Sequence, residues 1–112
     1  MENLRRIFNP VQKDYVTFLK TSEETHGKYT LVTVELAARG GVGLHYHKTY
    51  SEKFDCIEGE LKVQAGKKIH TLVPGETIIA HQNVNHRFFN TSDKVTRFDV
   101  ELRPASRGCE QS

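Results

Sequence analysis

Two imidazoles one residue apart, His45 and His47, open the stretch whose residue types are best suited to chemistry, and Glu52 and Gly59 follow them. On an extended strand His45 and His47 share a face, because strand side chains alternate with a period of two. Such a pair can grip one ion. Glu52 has the opposite parity, so it joins them only if the turn suggested by Lys48 to Ser51 begins a second strand that faces inward. Imidazole and carboxylate together suit divalent metals of the first transition row, and three ligands leave a position that wants another. A fourth candidate lies downstream, where Pro74-Gly75 is followed by His81, Gln82, Asn83, His86 and Asn90.

These two stretches resemble the paired motifs of the cupin superfamily, small β-barrels whose first motif gives two His and a Glu and whose second gives one further His. The resemblance implies His45, His47, Glu52 and His86 as ligands of one divalent transition metal, with Gly59, Gly75 and Asn90 at the family's turn positions. It also implies an all-β fold, the double-stranded β-helix or cupin jelly-roll barrel, of the small RmlC-like single-domain kind. Two departures fall on turns and mouth and leave the ligand positions intact. Arg39 stands where the first motif usually opens on Gly, and His81 and Asn83 stand where the second usually has Pro and Gly.

The elements needed to position these residues are legible as short strands. Leu4 to Val11 mixes charge with Ile7 and Phe8, and Pro10 blocks a helix, so an extended arm is expected. Asp14 to Lys20 is rich in β-branched and aromatic residues, and Thr21 to Lys28 reads as a polar turn. Tyr29 to Leu36 alternates, with Val32, Val34 and Leu36 on one face. Gly40, Gly41 and Gly43 then supply positive φ or close backbone approach where the chain turns into the site. Lys53 to Glu58 and Glu60 to Ala65 are expected to form a compact hairpin about Gly59. Lys68 to Val73 and Thr77 to Ala80 are strands about a type II turn at Pro74-Gly75, and His81 to Asn85 is a loop. Arg87 to Asn90 and Val95 to Leu102 follow as strands, the last burying Thr96, Phe98, Val100 and Leu102. Many short strands with no convincing helix favour an antiparallel sandwich or barrel, and a small jelly roll fits best. The expected division is an arm over residues 1–13, a barrel over 14–103 and a polar tail over 104–112, all one domain.

With 112 residues the chain is long enough for one unstapled core, and 37% hydrophobic against 27% charged residues marks a globular protein rather than a disordered one. The formal charge of +2 is scattered, with no basic cluster longer than Arg5-Arg6 or Lys67-Lys68, so no nucleic-acid partner is expected. There is no signal-like start and no apolar run of membrane-spanning length, so the expected address is the cytoplasm, with no membrane partner. Cys56 and Cys109 fall in a core strand and a polar tail and are read as two free thiols. Gly40-Gly41-Val42-Gly43 leads into a strand, whereas phosphate-binding glycines lead into a helix, so phosphate-loop chemistry is dropped.

Four residues stand beside the ligand candidates as pocket or supporting positions. Phe54 and Cys56 share parity with Glu52, and Phe88 shares parity with His86. Cys56 is either a pocket thiol or a small apolar core residue. Phe88 would place a ring beside the metal. His81 is either an acid-base group at the rim or a solvated loop histidine.

With neutral imidazoles and one carboxylate, a divalent ion keeps a charge of about +1, which favours an anionic or enolisable oxygen ligand. The first expectation is a metal-dependent enzyme acting on a small organic molecule, of the dioxygenase, isomerase or decarboxylase type that the cupin resemblance implies, with Fe, Mn, Zn or Ni in the site. The second is a non-catalytic binding or sensor module that captures a small ligand. The third is a structural metal in a protein whose work is association, for which a homodimer is expected.

Overall fold

A computed structural model describes residues 5–42 and 50–104. Nine strands occur among them in the order β1 (Arg6–Asn9), β2 (Asp14–Lys20), β3 (Thr30–Leu36), β4 (Tyr50–Glu58), β5 (Leu61–Ala65), β6 (Lys68–Leu72), β7 (Thr77–Ala80), β8 (His86–Phe89) and β9 (Thr96–Pro104). The described residues contain no helix long and apolar enough to cross a membrane. Six strands form one sheet in the order β1-β2-β3-β9-β4-β7, and three form a second in the order β6-β5-β8. All named pairings are antiparallel. The two sheets enclose the core of a jelly-roll, double-stranded β-helix fold.

Period-two patterning explains which side of each strand is buried. Val32, Val34 and Leu36 on β3 face inward, as do Phe54 and Cys56 on β4 and Phe98 and Val100 on β9. Register makes these residues meet: Val34 lies opposite Phe98, and Val100 lies between Val32 and Phe54. Leu61 and Val63 on β5 close the core from the smaller sheet. Phe54 and Phe98 are fully buried, each contributing on the order of 1.5–3 kcal/mol by its removal from water.

One expected connection is different. β4 and β5 do not form a hairpin about Gly59: β4 pairs with β7 and β9 in the large sheet, and β5 pairs with β6 and β8 in the small one. Gly59 is therefore a corner at which the chain changes sheets. It has φ +84°, and a β-carbon there would come within 2.9 Å of Thr96 Oγ1. Hydrophobic alternation on both sides of a glycine is shared by hairpins and by such corners, so pattern alone does not separate them.

The N-terminal residues from Arg6 to Asn9 fold back as edge strand β1 on β2. The turn between them is held by Asn9, whose Oδ1 accepts from the Val11 and Gln12 backbone N–H groups at 2.9 and 3.1 Å. Residues 37–42 then stitch this turn to the small sheet. Ala37 N–H donates to Lys13 O at 2.9 Å, Gly41 N–H to Gln12 O at 3.0 Å, and Val42 N–H to Phe88 O at 3.0 Å. Gly40 is needed for that closeness, since a β-carbon would lie 2.7 Å from Gln12 O and 2.8 Å from Leu36 Cδ1.

Candidate metal centre and cavity

Glu52 sits on β4 opposite Leu102 of β9 and Ala80 of β7, with the same parity as the core residues Phe54 and Cys56. His86 opens β8 in the other sheet, opposite Ala65. The fold brings these two residues together across the barrel, with His86 Nε2 2.8 Å from Glu52 Oε1. His86 is 1% exposed and the Glu52 side chain 12% exposed, so the pair is largely shielded from water.

The other ring nitrogen of His86 is held as well, Nδ1 lying 3.0 Å from Val84 O. A carbonyl can only accept, so this bond puts a proton on Nδ1 and turns Nε2 toward the carboxylate. Burial alone would lower the His86 pKa, but the hydrogen bonds to Glu52 and Val84, with the nearby carboxylate charge, outweigh it and raise the value. The carbonyl on one side and the carboxylate on the other both favour the protonated ring.

The same arrangement fits a divalent cation. Metal-binding histidines commonly donate their second N–H to a carbonyl, as His86 does to Val84. An imidazole nitrogen and a carboxylate oxygen brought this close are both donors that a first-row divalent ion would accept. His45 and His47 lie outside the described residues. Among the described residues no group of three or more His, Cys, Asp or Glu gathers around one point.

The supporting candidates divide between pocket, core and surface. The Phe54 ring lies 6.4 Å from the His86 ring in an edge-on arrangement and 6.0 Å from Phe88. Phe88 in turn packs on Phe98 at 5.2 Å. Cys56 is buried in the core, where its thiol donates to Gly59 O at 3.5 Å and burial pushes its pKa up. His81 is exposed in the loop before β8, and its carbonyl accepts from Val84 N–H at 3.2 Å. Cys109 lies outside the described residues.

Beside Glu52 is a cavity of about 220 Å³. Val16, Val32, Val34, Val42, Val100, Leu102 and Phe88 supply its apolar walls, and Gln12, Asp14, Tyr50 and Glu52 supply polar groups. Tyr50 and Leu102 also line an open groove of about 550 Å³ with Ser22, Gly27, Tyr29, Thr30 and Pro104. Burial, followed by the charge of Glu52, raises the Tyr50 pKa and keeps its hydroxyl protonated. Sequence reasoning passed over Asp14, Gln12 and Tyr50. The signal for Asp14 was parity, since it shares a face with Val16 and Phe18, both packed against the core.

Comparison with known proteins agrees with this architecture. A family profile described as a cupin domain matches residues 32–102, more than half of the chain. The chain is a cupin. No curated protein matches it. Among solved structures, the cupin resembles a predicted oxalate decarboxylase from Thermotoga maritima at TM-score 0.78 and 21% identity, covering 92% of this chain and 93% of that one. It resembles the polyketide cyclase RemF from Streptomyces resistomycificus at TM-score 0.75 and 16% identity, covering 93% and 75%. It also resembles the cupin domain of an XRE family transcriptional regulator from Enterobacter cloacae at TM-score 0.74 and 21% identity, covering 83% and 98%. At these identities the likeness shows the shared barrel, and the three bearers of that barrel differ in what they are named for.

Proposed function

We propose that this cupin is a metal-dependent enzyme for a small organic molecule, holding one divalent transition-metal ion through Glu52, His86, His45 and His47. The observation that carries the reading is the shielded Glu52–His86 contact at 2.8 Å, made by residues from different sheets. The bound ion would supply Lewis-acid or oxygen-binding chemistry of the dioxygenase, isomerase or decarboxylase type. The chain's own residues have separable parts in this. Val84 O orients His86, and the Phe54 and Phe88 rings limit water behind it. Tyr50 brings a protonated hydroxyl to the cavity that Glu52 lines.

A second reading, a small-ligand-binding or sensor cupin, is favoured by the likeness to the transcriptional regulator's cupin domain. Oxygen uptake, or turnover of keto acids, enols and phenols by the metal-loaded protein, separates the enzyme from the sensor.

Elemental analysis of protein purified without added metal tests the ligand set. About one transition-metal ion per chain is expected in the wild type, and at least a tenfold lower content in Glu52→Ala and His86→Ala. Full occupancy in both variants would overturn the assignment. Iron or manganese would direct the search to oxygen chemistry, and zinc or nickel to isomerisation or hydrolysis.

A further inference from the structure

The cavity beside Glu52 has another polar feature that the proposed metal centre does not use. Asp14, on β2, is 1% exposed. Its Oδ2 accepts from Gln12 Nε2 at 2.9 Å, while its Oδ1 is buried and has no hydrogen-bond partner among the described residues. A buried acceptor without a donor costs on the order of 1–3 kcal/mol. Leucine has nearly the same shape as aspartate and would avoid that cost, so a buried acceptor left without a donor in a residue that lines a cavity points to a ligand.

Asp14 is also held in place. The Gln12 backbone is fixed at both ends, its N–H donating to Asn9 Oδ1 at 3.1 Å and its carbonyl accepting from Gly41 N–H at 3.0 Å. Its side-chain amide therefore bonds Asp14 from a backbone that the neighbouring turn and loop have already set. An oriented group of this kind loses little freedom when it binds.

We propose that Asp14, oriented by Gln12, is a second anchor in the cavity and receives a hydroxyl group of the ligand. The inference rests on the metal-centre reading for the ligand's other end, where a carboxylate would meet the positively charged site. A hydroxyl both donates and accepts, so it matches Oδ1 whether the carboxyl is ionised or neutral, whereas an ammonium group needs the ionised form. Valine and leucine walls suit a methylene chain or ring between the two polar ends. A volume of about 220 Å³ suits a small ligand. The ligand class is therefore a short hydroxy-substituted carboxylic acid.

Calorimetric titration of manganese-loaded protein tests this with matched pairs: propanoate and 3-hydroxypropanoate, butanoate and 4-hydroxybutanoate, pentanoate and 5-hydroxypentanoate. In the wild type, at least one hydroxy acid binds about tenfold more tightly than its plain partner. In Asp14→Leu that preference disappears while metal content is unchanged, and in Gln12→Leu it falls several-fold. Equal preference in wild type and Asp14→Leu would overturn the anchor, as would plain acids binding as well as hydroxy acids at every length, or no acid binding at all. Metal content, measured on the same samples, judges the ligand set separately. A wild type that takes up none of manganese, iron, zinc and nickel sinks the metal centre, while the anchor is still decided by the hydroxy-to-plain ratio of the metal-free protein.

Discussion

Two parts of this barrel treat their buried polar groups differently. Asn90, at the end of β8, is completed by its surroundings. Its Nδ2 donates to Leu36 O and Ala37 O at 3.2 Å and to Lys94 O at 2.7 Å, and its Oδ1 accepts from Ser92 N–H and Oγ–H. Thr96 is similar, its hydroxyl donating to Glu60 O at 2.9 Å. Around the cavity, by contrast, acceptors gather. His86 lies between a carbonyl and a carboxylate, and Asp14 Oδ1 faces no donor among the described residues. Polar groups that complete one another are scaffold, and an acceptor left without a donor beside a cavity, as Asp14 Oδ1 is, is open to a donor from outside.

The strongest way to break this contrast is to remove a group from the completed region. Asn90→Ala strands the Leu36, Ala37 and Lys94 carbonyls and should cost about 3 kcal/mol in urea denaturation. Metal content per folded chain should stay at the wild-type level; its loss would mean the two regions are not separable. Asp14→Leu should act in the opposite direction, stabilising metal-free protein by about 1 kcal/mol at neutral pH.

That gain should depend on pH. Burial pushes the Asp14 carboxyl above its ordinary 3.8, with the Gln12 bond opposing, so the folded state keeps a proton that the unfolded state releases. The stability contributed by Asp14 is then fully present below pH 3.8 and lost as pH rises through the folded value. The advantage of Asp14→Leu should accordingly shrink on acidification, as paired denaturation curves at acid and neutral pH would show. A gain independent of pH would count against a buried, desolvated carboxyl.

The smallest effect concerns the two motif positions that depart from glycine. Arg39 and Asn83 both adopt left-handed backbone, at φ 64° and 69°. Asn adopts that region at less cost than Arg. Arg39→Gly should raise stability by about 0.5–1 kcal/mol, and Asn83→Gly by a few tenths at most, readable as a difference in thermal midpoint.

Much of the framework was legible because half-buried strands advertise their faces. The alternation through Val32, Val34 and Leu36, and through Thr96, Phe98 and Val100, is the burial seen in β3 and β9. Pro74-Gly75 likewise forms its turn, with Gly75 at φ 95° and Glu76 N–H donating to Val73 O at 3.0 Å. The meeting of Glu52 with His86 is what the resemblance to the cupin motifs implies, and the two side chains lie 2.8 Å apart. The crossing at Gly59 did not, since a strand pattern names the face of a strand but not its partner. Asp14 was hidden for a related reason: at the first position of a strand, a lone carboxylate looks like the edge of a turn. Its pairing with Leu36 of β3 extends the inward face of Val16 and Phe18 to that first position.

The Glu52–His86 contact has a mechanical side too. Glu52 belongs to a strand inside the six-stranded sheet, and His86 to an edge strand of the three-stranded one. The contact between them therefore ties the two walls of the barrel to each other, so removing either side chain loosens one sheet from the other as well as emptying the site.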